Sequence, residues 1–184
     1  MRSNKGVSQI KILSVLISLI LITSCSSNDS AKTYNVPKSC EDTKVLAAFP
    51  DSIPNPKFID TPWEPAEGTD LYAAINGGGL ACSYGIQEAE VGATILWAPN
   101  ESNLFETRAK EWQGFGQQAI DLPNLDEDSA YVLTEGTQGQ GEYHVWAINY
   151  LINGIWIQVN ATFFGSIEAA MPIVTAAAES LTVS

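Results

Sequence analysis

Apolar residues come along this chain in several rhythms, and each rhythm predicts a different element. Near the start they are continuous. Ile12 to Ile22 reads ILSVLISLILI, broken only by Ser14 and Ser18. A membrane span needs about 20 apolar residues, so this run is too short to cross a bilayer. From Pro50 to Pro65 five prolines interrupt the chain and predict mostly irregular or short edge structure. Further on the apolar positions alternate. Leu80, Cys82, Tyr84 and Ile86, then Val91, Ala93, Ile95 and Trp97, predict a hairpin over residues 80–97. Ser129 to Glu135 has strand composition. Tyr143 to Ile152 and Ile155 to Phe164 flank Asn153-Gly154, the preferred pair for a two-residue type I′ turn.

That turn fixes a register in which partner numbers add to 307. One face then carries Ile152/Ile155, Tyr150/Ile157, Ile148/Val159, Trp146/Ala161 and His144/Phe163, and is expected to face the core. The other carries Leu151/Trp156, Asn149/Gln158, Ala147/Asn160, Val145/Thr162 and Tyr143/Phe164. It is more mixed and expected to be more open.

Helical spacing appears three times. Glu41 and Asp42 ahead of Val45, Leu46 and Phe49 predict a short helix. Phe105, Ala109, Trp112 and Ala119 predict a helix that starts near Pro99 and weakens at Gly114 and Gly116. Ser166 is a candidate N-cap for a last helix with Ile167, Ala170, Met171, Val174, Ala178 and Leu181 on its apolar stripe. Pro172 predicts that this helix is kinked or starts later. The expected fold is α+β: a two-layer sandwich, a mainly antiparallel sheet of about five strands with helices packed on one face.

Arg2, Lys5 and Lys11 precede the continuous apolar run, and Thr23-Ser24-Cys25 closes it. A basic start, a short apolar stretch and small residues are the layout of an export signal. Ile-Thr-Ser-Cys also looks like a bacterial lipoprotein signal, cut before the cysteine. The expectation is a signal over 1–24, lipid on Cys25, a flexible polar tether over 25–39 and one domain over 40–184. Removing residues 1–24 takes away three basic and no acidic residues, moving the formal charge from −12 to −15. Such a surface repels nucleic acid and anionic head groups, so the expected membrane contact is through lipid alone. With Cys25 lipidated, Cys40 and Cys82 remain. They form either a disulfide, worth roughly 3–4 kcal/mol for a loop of this size, or two reduced buried cysteines.

Gly78-Gly-Leu-Ala-Cys82-Ser-Tyr84, Leu122-Pro-Asn-Leu-Asp-Glu-Asp-Ser-Ala-Tyr131 and the closing hairpin and helix resemble a broad group of actinobacterial extracytoplasmic lipoproteins, mostly of unknown function. Relatives in that group usually carry Cys-x-Trp where this chain has Cys-Ser-Tyr. The resemblance implies a small α+β domain and a Cys40–Cys82 disulfide. Its plan is also similar to extracellular sensor domains of some receptor kinases, which implies sensing or ligand binding.

Candidate chemistry is sparse. His144, the sole histidine, has no Gly-x-Ser-x-Gly nucleophile turn to serve and reads as a packed structural residue. Asn124, Asp126, Asp128 and Glu135 mimic calcium-loop spacing, but Ser129 stands where the loop needs glycine, so a solvated acidic turn is expected. The glycines at 77–79 lack a phosphate loop's Gly-Lys-Ser/Thr ending. No cofactor, metal or catalytic set is expected. Tyr143, Leu151, Trp156 and Phe164 share the outer sheet face in this register and form a candidate binding surface, unless the segment from Pro50 to Leu71 covers it. The expected role is a non-catalytic binder of an unidentified protein or small molecule. The alternatives are an accessory subunit of an envelope complex and a surface hydrolase using Asp126 and Asp128.

Overall fold

The computed structural model describes residues 32–184. The expected signal, Cys25 and the first part of the expected tether lie outside the described residues. A seven-stranded antiparallel sheet organises the molecule. Its strands are β2 (Lys57–Ile59), β3 (Leu80–Ile86), β4 (Val91–Pro99), β5 (Gln118–Ile120), β6 (Ser129–Thr137), β7 (Gln140–Ile152) and β8 (Ile155–Ala161), in the spatial order β2-β3-β4-β8-β7-β6-β5. A separate pair joins β1 (Tyr34–Asn35) to β9 (Thr182–Val183). The helices are α1 (Asp70–Asn76), α2 (Leu104–Gly114) and α3 (Ile167–Ala178), with a 3-10 turn at Val45–Ala48.

The α+β class and the antiparallel sheet are as expected, but the sheet has seven strands, not about five. The two extra ones are the edges. β2 and β5 have three residues each, too short to show alternation. Ala119, expected on the helix before it, lies in β5. The folded unit also begins before Cys40, because Tyr34 and Asn35 pair with Val183 and Thr182.

The helices pack on both faces of the sheet, so the expected two-layer arrangement becomes three layers. On one face Cys82, Ile95, Val159, Ile148 and Val132 form an apolar row across five strands. The row beside it is Leu80, Trp97, Ile157, Tyr150 and Ala130. α3 closes this face with Ala170, Ile173, Val174 and Ala177. Burying Ile173 and Val174 contributes roughly 1.5–3 kcal/mol each. Two polar tips lock the contact. The Trp97 indole donates to Ala177 O at 2.9 Å, and the Tyr150 hydroxyl donates to Val174 O at 2.7 Å. Ser166 caps α3 by accepting from Ala169 N, so the helix does not start later. Pro172 sits inside it on the exposed side, and Glu168, whose carbonyl loses its helical partner, is exposed as well.

Cys40 and Cys82 form a disulfide, with Cα atoms 5.6 Å apart. The Tyr84 hydroxyl donates to Cys40 O at 2.9 Å and meets the Thr43 hydroxyl at 2.7 Å. Residues 40–48 are thereby pinned to the α3 side of the sheet.

On the opposite face α1 and α2 cover Ala81, Leu96, Ala98, Leu151 and Trp156. Gly79 lets α1 come this close. A Cβ there would lie 2.2 Å from Trp97 O and 2.6 Å from Ala74 O, so no other residue fits without moving backbone. Asn153 and Gly154 both have positive φ (53° and 74°), as a type I′ turn requires. Pairing follows the predicted register from Ile152↔Ile155 to Ala147↔Asn160. It then changes. Leu133 pairs with Ala147 but Thr134 pairs with Val145, so Trp146 is the extra residue of a β-bulge. Val145 N donates to Phe164 O, and Val145 turns into the α3-side core. The expected placements of Trp146 on the core face, and of Val145, Tyr143 and Phe164 opposite it, are overturned by this one inserted residue. Among the described residues no helix is long and apolar enough to cross a membrane.

Two stability predictions follow from this face. The Cys40→Ala/Cys82→Ala double variant is expected to lose about 4 kcal/mol in urea unfolding, from the loop the bridge closes. A loss under about 1 kcal/mol would contradict it. Burial pushes the Tyr84 hydroxyl up to about 12 from 10.0, with the Glu41 charge adding and the Thr43 hydrogen bond opposing. Burial likewise holds Tyr150 well above 10.0. The folded phenols stay protonated where unfolded ones ionise, and the Tyr84 contribution is complete below pH 10 and is lost as pH rises toward 12. Thermal unfolding between pH 10 and 12 is expected to show Tm falling less steeply in Tyr84→Phe than in the native chain. Equal slopes would contradict this.

Candidate functional site

The α1/α2 face of the sheet is only half covered. Three cross-strand rows show why. The row under the helices is Ala98, Trp156 and Leu151. The next is Ala81, Leu96, Gln158, Asn149 and Tyr131. The third is Ile59, Ser83, Thr94, Asn160 and Ala147. The first is apolar and lies under α2. The third floors an open groove of about 370 Å³. Ile59, Ile86 and Gln87 line its β2 side, and Trp146 and Thr162 line its β7 side.

Between the covered and open halves runs a polar network centred on Asp70. Thr69 caps α1 by accepting from Tyr72 N, and this places Asp70 in the helix's first turn. Arg108, half-way along α2, forms an ion pair with Asp70 and a second with Glu111, and donates to Gly68 O at 3.1 Å. The Trp112 indole donates to both Asp70 carboxylate oxygens at 3.0 Å. From the sheet, Gln158 Nε2 donates to Asp70 Oδ2 at 2.6 Å and to Asn149 Oδ1 at 2.8 Å. Asn149 Oδ1 also accepts from the Trp156 indole, and Asn149 Nδ2 donates to Gln117 Oε1. Asn149 is fully buried and Gln158 nearly so. Among the described residues no buried side-chain nitrogen or oxygen lacks a partner.

The sense of every amide in this network is set by chemistry. A carboxylate can only accept and an indole can only donate. Asp70 therefore takes the nitrogen end of Gln158. That leaves Gln158 Oε1 to accept from Asn160 Nδ2 at 3.0 Å. Asn160 must then turn its Oδ1 away from the network, at the floor of the groove. The Ser83 and Thr94 hydroxyls lie in the same cross-strand row, with no protein hydrogen-bond partner among the described residues.

Trp146 forms the groove's other distinctive feature. It is 43% exposed, the inserted residue of the β7 bulge. Bulges of this kind re-aim side chains beside binding sites. Its indole donates to Glu135 Oε2 at 2.9 Å, and its ring centre lies 4.0 Å from that of His144. His144 in turn contacts Ala161 O at 3.2 Å. The histidine is therefore a structural support for Trp146.

The four residues of the expected binding surface do not come together. Leu151 and Trp156 are buried under α1 and α2 with Trp63, while Phe164 is buried in the α3-side core with half-buried Tyr143 against it. The covering elements are helices as well as the proline-rich segment. Asp126 and Asp128 are exposed on their turn, and Glu127, not either of them, bonds Leu122 N. No group of three or more His, Cys, Asp or Glu side chains that could hold a metal occurs among the described residues.

The network residues were not picked out by spacing, yet two signals pointed at them. Arg108 is the one arginine after residue 24. Asn149, Gln158 and Asn160 cluster on one hairpin face, where unpartnered amides would be costly to bury. Removing the hub has a measurable cost. Asp70→Asn is expected to destabilise the fold by about 3 kcal/mol in urea unfolding, because Arg108, Trp112 and Gln158 lose their shared charged acceptor and Arg108 keeps only the exposed Glu111 as a carboxylate partner. A loss no larger than the roughly 0.5 kcal/mol of an exposed ion pair would contradict this.

No family model matches the chain, and comparison with curated proteins and with solved structures gives no match either.

Proposed function

We propose that this chain is an extracytoplasmic lipoprotein, anchored through lipid on Cys25, whose domain binds a ligand without catalysis in the groove floored by Ser83, Thr94 and Asn160. The observation that carries the binding role is the Asn160 carboxamide. It is turned toward the groove by partners that leave it no other orientation. A half-buried amide held in one orientation by a satisfied network suits a pre-organised recognition surface. Trp146 adds an exposed aromatic plane held from behind by Glu135 and His144. The anchoring role is supported by the apolar run ending at Cys25 and by a disulfide, a bond that persists outside the cytoplasm.

Two measurements test the two halves. Cys25→Ala is expected to move the protein from the membrane fraction to the soluble one, and undiminished detergent-dependent retention would contradict the anchor. Screening a small-molecule fragment library by amide NMR is expected to concentrate shift changes at Ser83, Thr94, Trp146 and Asn160. Hits confined to other surfaces would contradict the binding site.

A further inference from the structure

We propose that the ligand of this groove is a neutral saccharide, a deduction that rests on the groove being the binding site. Three features of the lining select the class. First, the groove, mostly apolar in its lining, carries a short unpaired polar row on its floor: the Ser83 and Thr94 hydroxyls and Asn160 Oδ1 stand side by side across β3, β4 and β8. Adjacent strands lie about 4.8 Å apart, so the row presents hydrogen-bonding groups at a spacing that several hydroxyls on one rigid ring can meet together. A purely apolar ligand would bury these groups without partners, at a cost of about 1–3 kcal/mol for each.

Second, the groove contains no cation. Its one charged lining residue is Glu90. The one arginine after residue 24, Arg108, is held by Asp70 and Glu111. Phosphates, carboxylates and nucleic acids therefore find no counter-charge, and the chain's formal charge of −12 repels them further.

Third, Trp146, 43% exposed, lines the groove beside this polar row. A pyranose combines what the site asks for. Its C–H face stacks on an aromatic plane while its equatorial hydroxyls reach sideways to amides and hydroxyls. The Trp146 indole nitrogen is taken up by Glu135, which does not line the groove, so the ring meets the groove through its carbon surface. The groove is an open trough on the sheet surface, suited to a section of a sugar chain.

The test titrates the intact lipidated protein in detergent with cellobiose, maltose and N,N′-diacetylchitobiose, following the Trp146 indole and the Ser83, Thr94 and Asn160 amides by NMR. Indole, which has an aromatic face and no hydroxyls, is titrated in parallel. At least one saccharide is expected to bind saturably, with affinity reduced tenfold or more by Trp146→Ala and by Ser83→Ala. Ser83→Ala and the isosteric Thr94→Val keep the test usable if Asn160→Ala fails to fold. Saccharide binding that these variants leave unchanged overturns the assignment of the site. Indole binding in the groove with no response to any saccharide overturns the ligand class and leaves the groove as a binding site. No response to either overturns both.

Discussion

One carboxylate, Asp70, constrains more of this molecule than any other group. It accepts from Arg108 and Trp112 on α2 and from Gln158 on the sheet, so it fastens two helices to β8 at one point. Because it can only accept, it takes the nitrogen end of Gln158, in agreement with Asn149 Oδ1, whose own sense the Trp156 indole sets, and through Gln158 it orients Asn160. Local chemistry places the carboxylate itself: Thr69 caps α1, an acid is favoured in the first turn, and Gly79 lets the helix end approach β4.

The sheet is asymmetric as a result. Its α3 face is a conventional apolar core, sealed by Trp97 and Tyr150 against α3 and by the disulfide against the N-terminal segment. Its other face is divided by the amide row. On one side of that row Trp156 and Leu151 are buried under α2, and on the other Ser83, Thr94 and Asn160 are left in the open groove. Polar groups are thus placed where the helical cover ends. The bulge in β7 completes the arrangement by exchanging Val145 into the core and Trp146 out to the groove.

Much of this was legible in the order of residues. The two hairpins, the Asn153-Gly154 turn, the central register, the Ser166 cap and the α+β class all follow from period-two and period-three-to-four patterns with clear stop signals. The edges were less so. β2 and β5 are shorter than the window in which alternation shows, and α1 has only seven residues, squeezed between the proline-rich segment and three glycines. The Trp146 bulge was not legible, because nothing in Tyr143 to Ala147 breaks the alternation. The insertion answers to packing on both neighbours, β6 and β8. The groove was missed for the same reason. The expected surface used residues that the true register and the helices bury. The amides that border the groove were visible as a cluster, but their partner Asp70 lies 88 residues from Gln158.

The central claim is that Asp70, together with the Trp156 indole, fixes an ordered chain of side-chain amides ending at the groove floor. Side-chain amide hydrogen exchange, followed by NMR, tests it most directly. The account predicts slowed exchange for the Asn149, Gln158 and Asn160 carboxamides relative to exposed Gln87, with that protection reduced at Gln158 and Asn160 in Asp70→Asn. Exchange at Asn160 and Gln158 as fast as at Gln87, or protection unchanged in the variant, would contradict it.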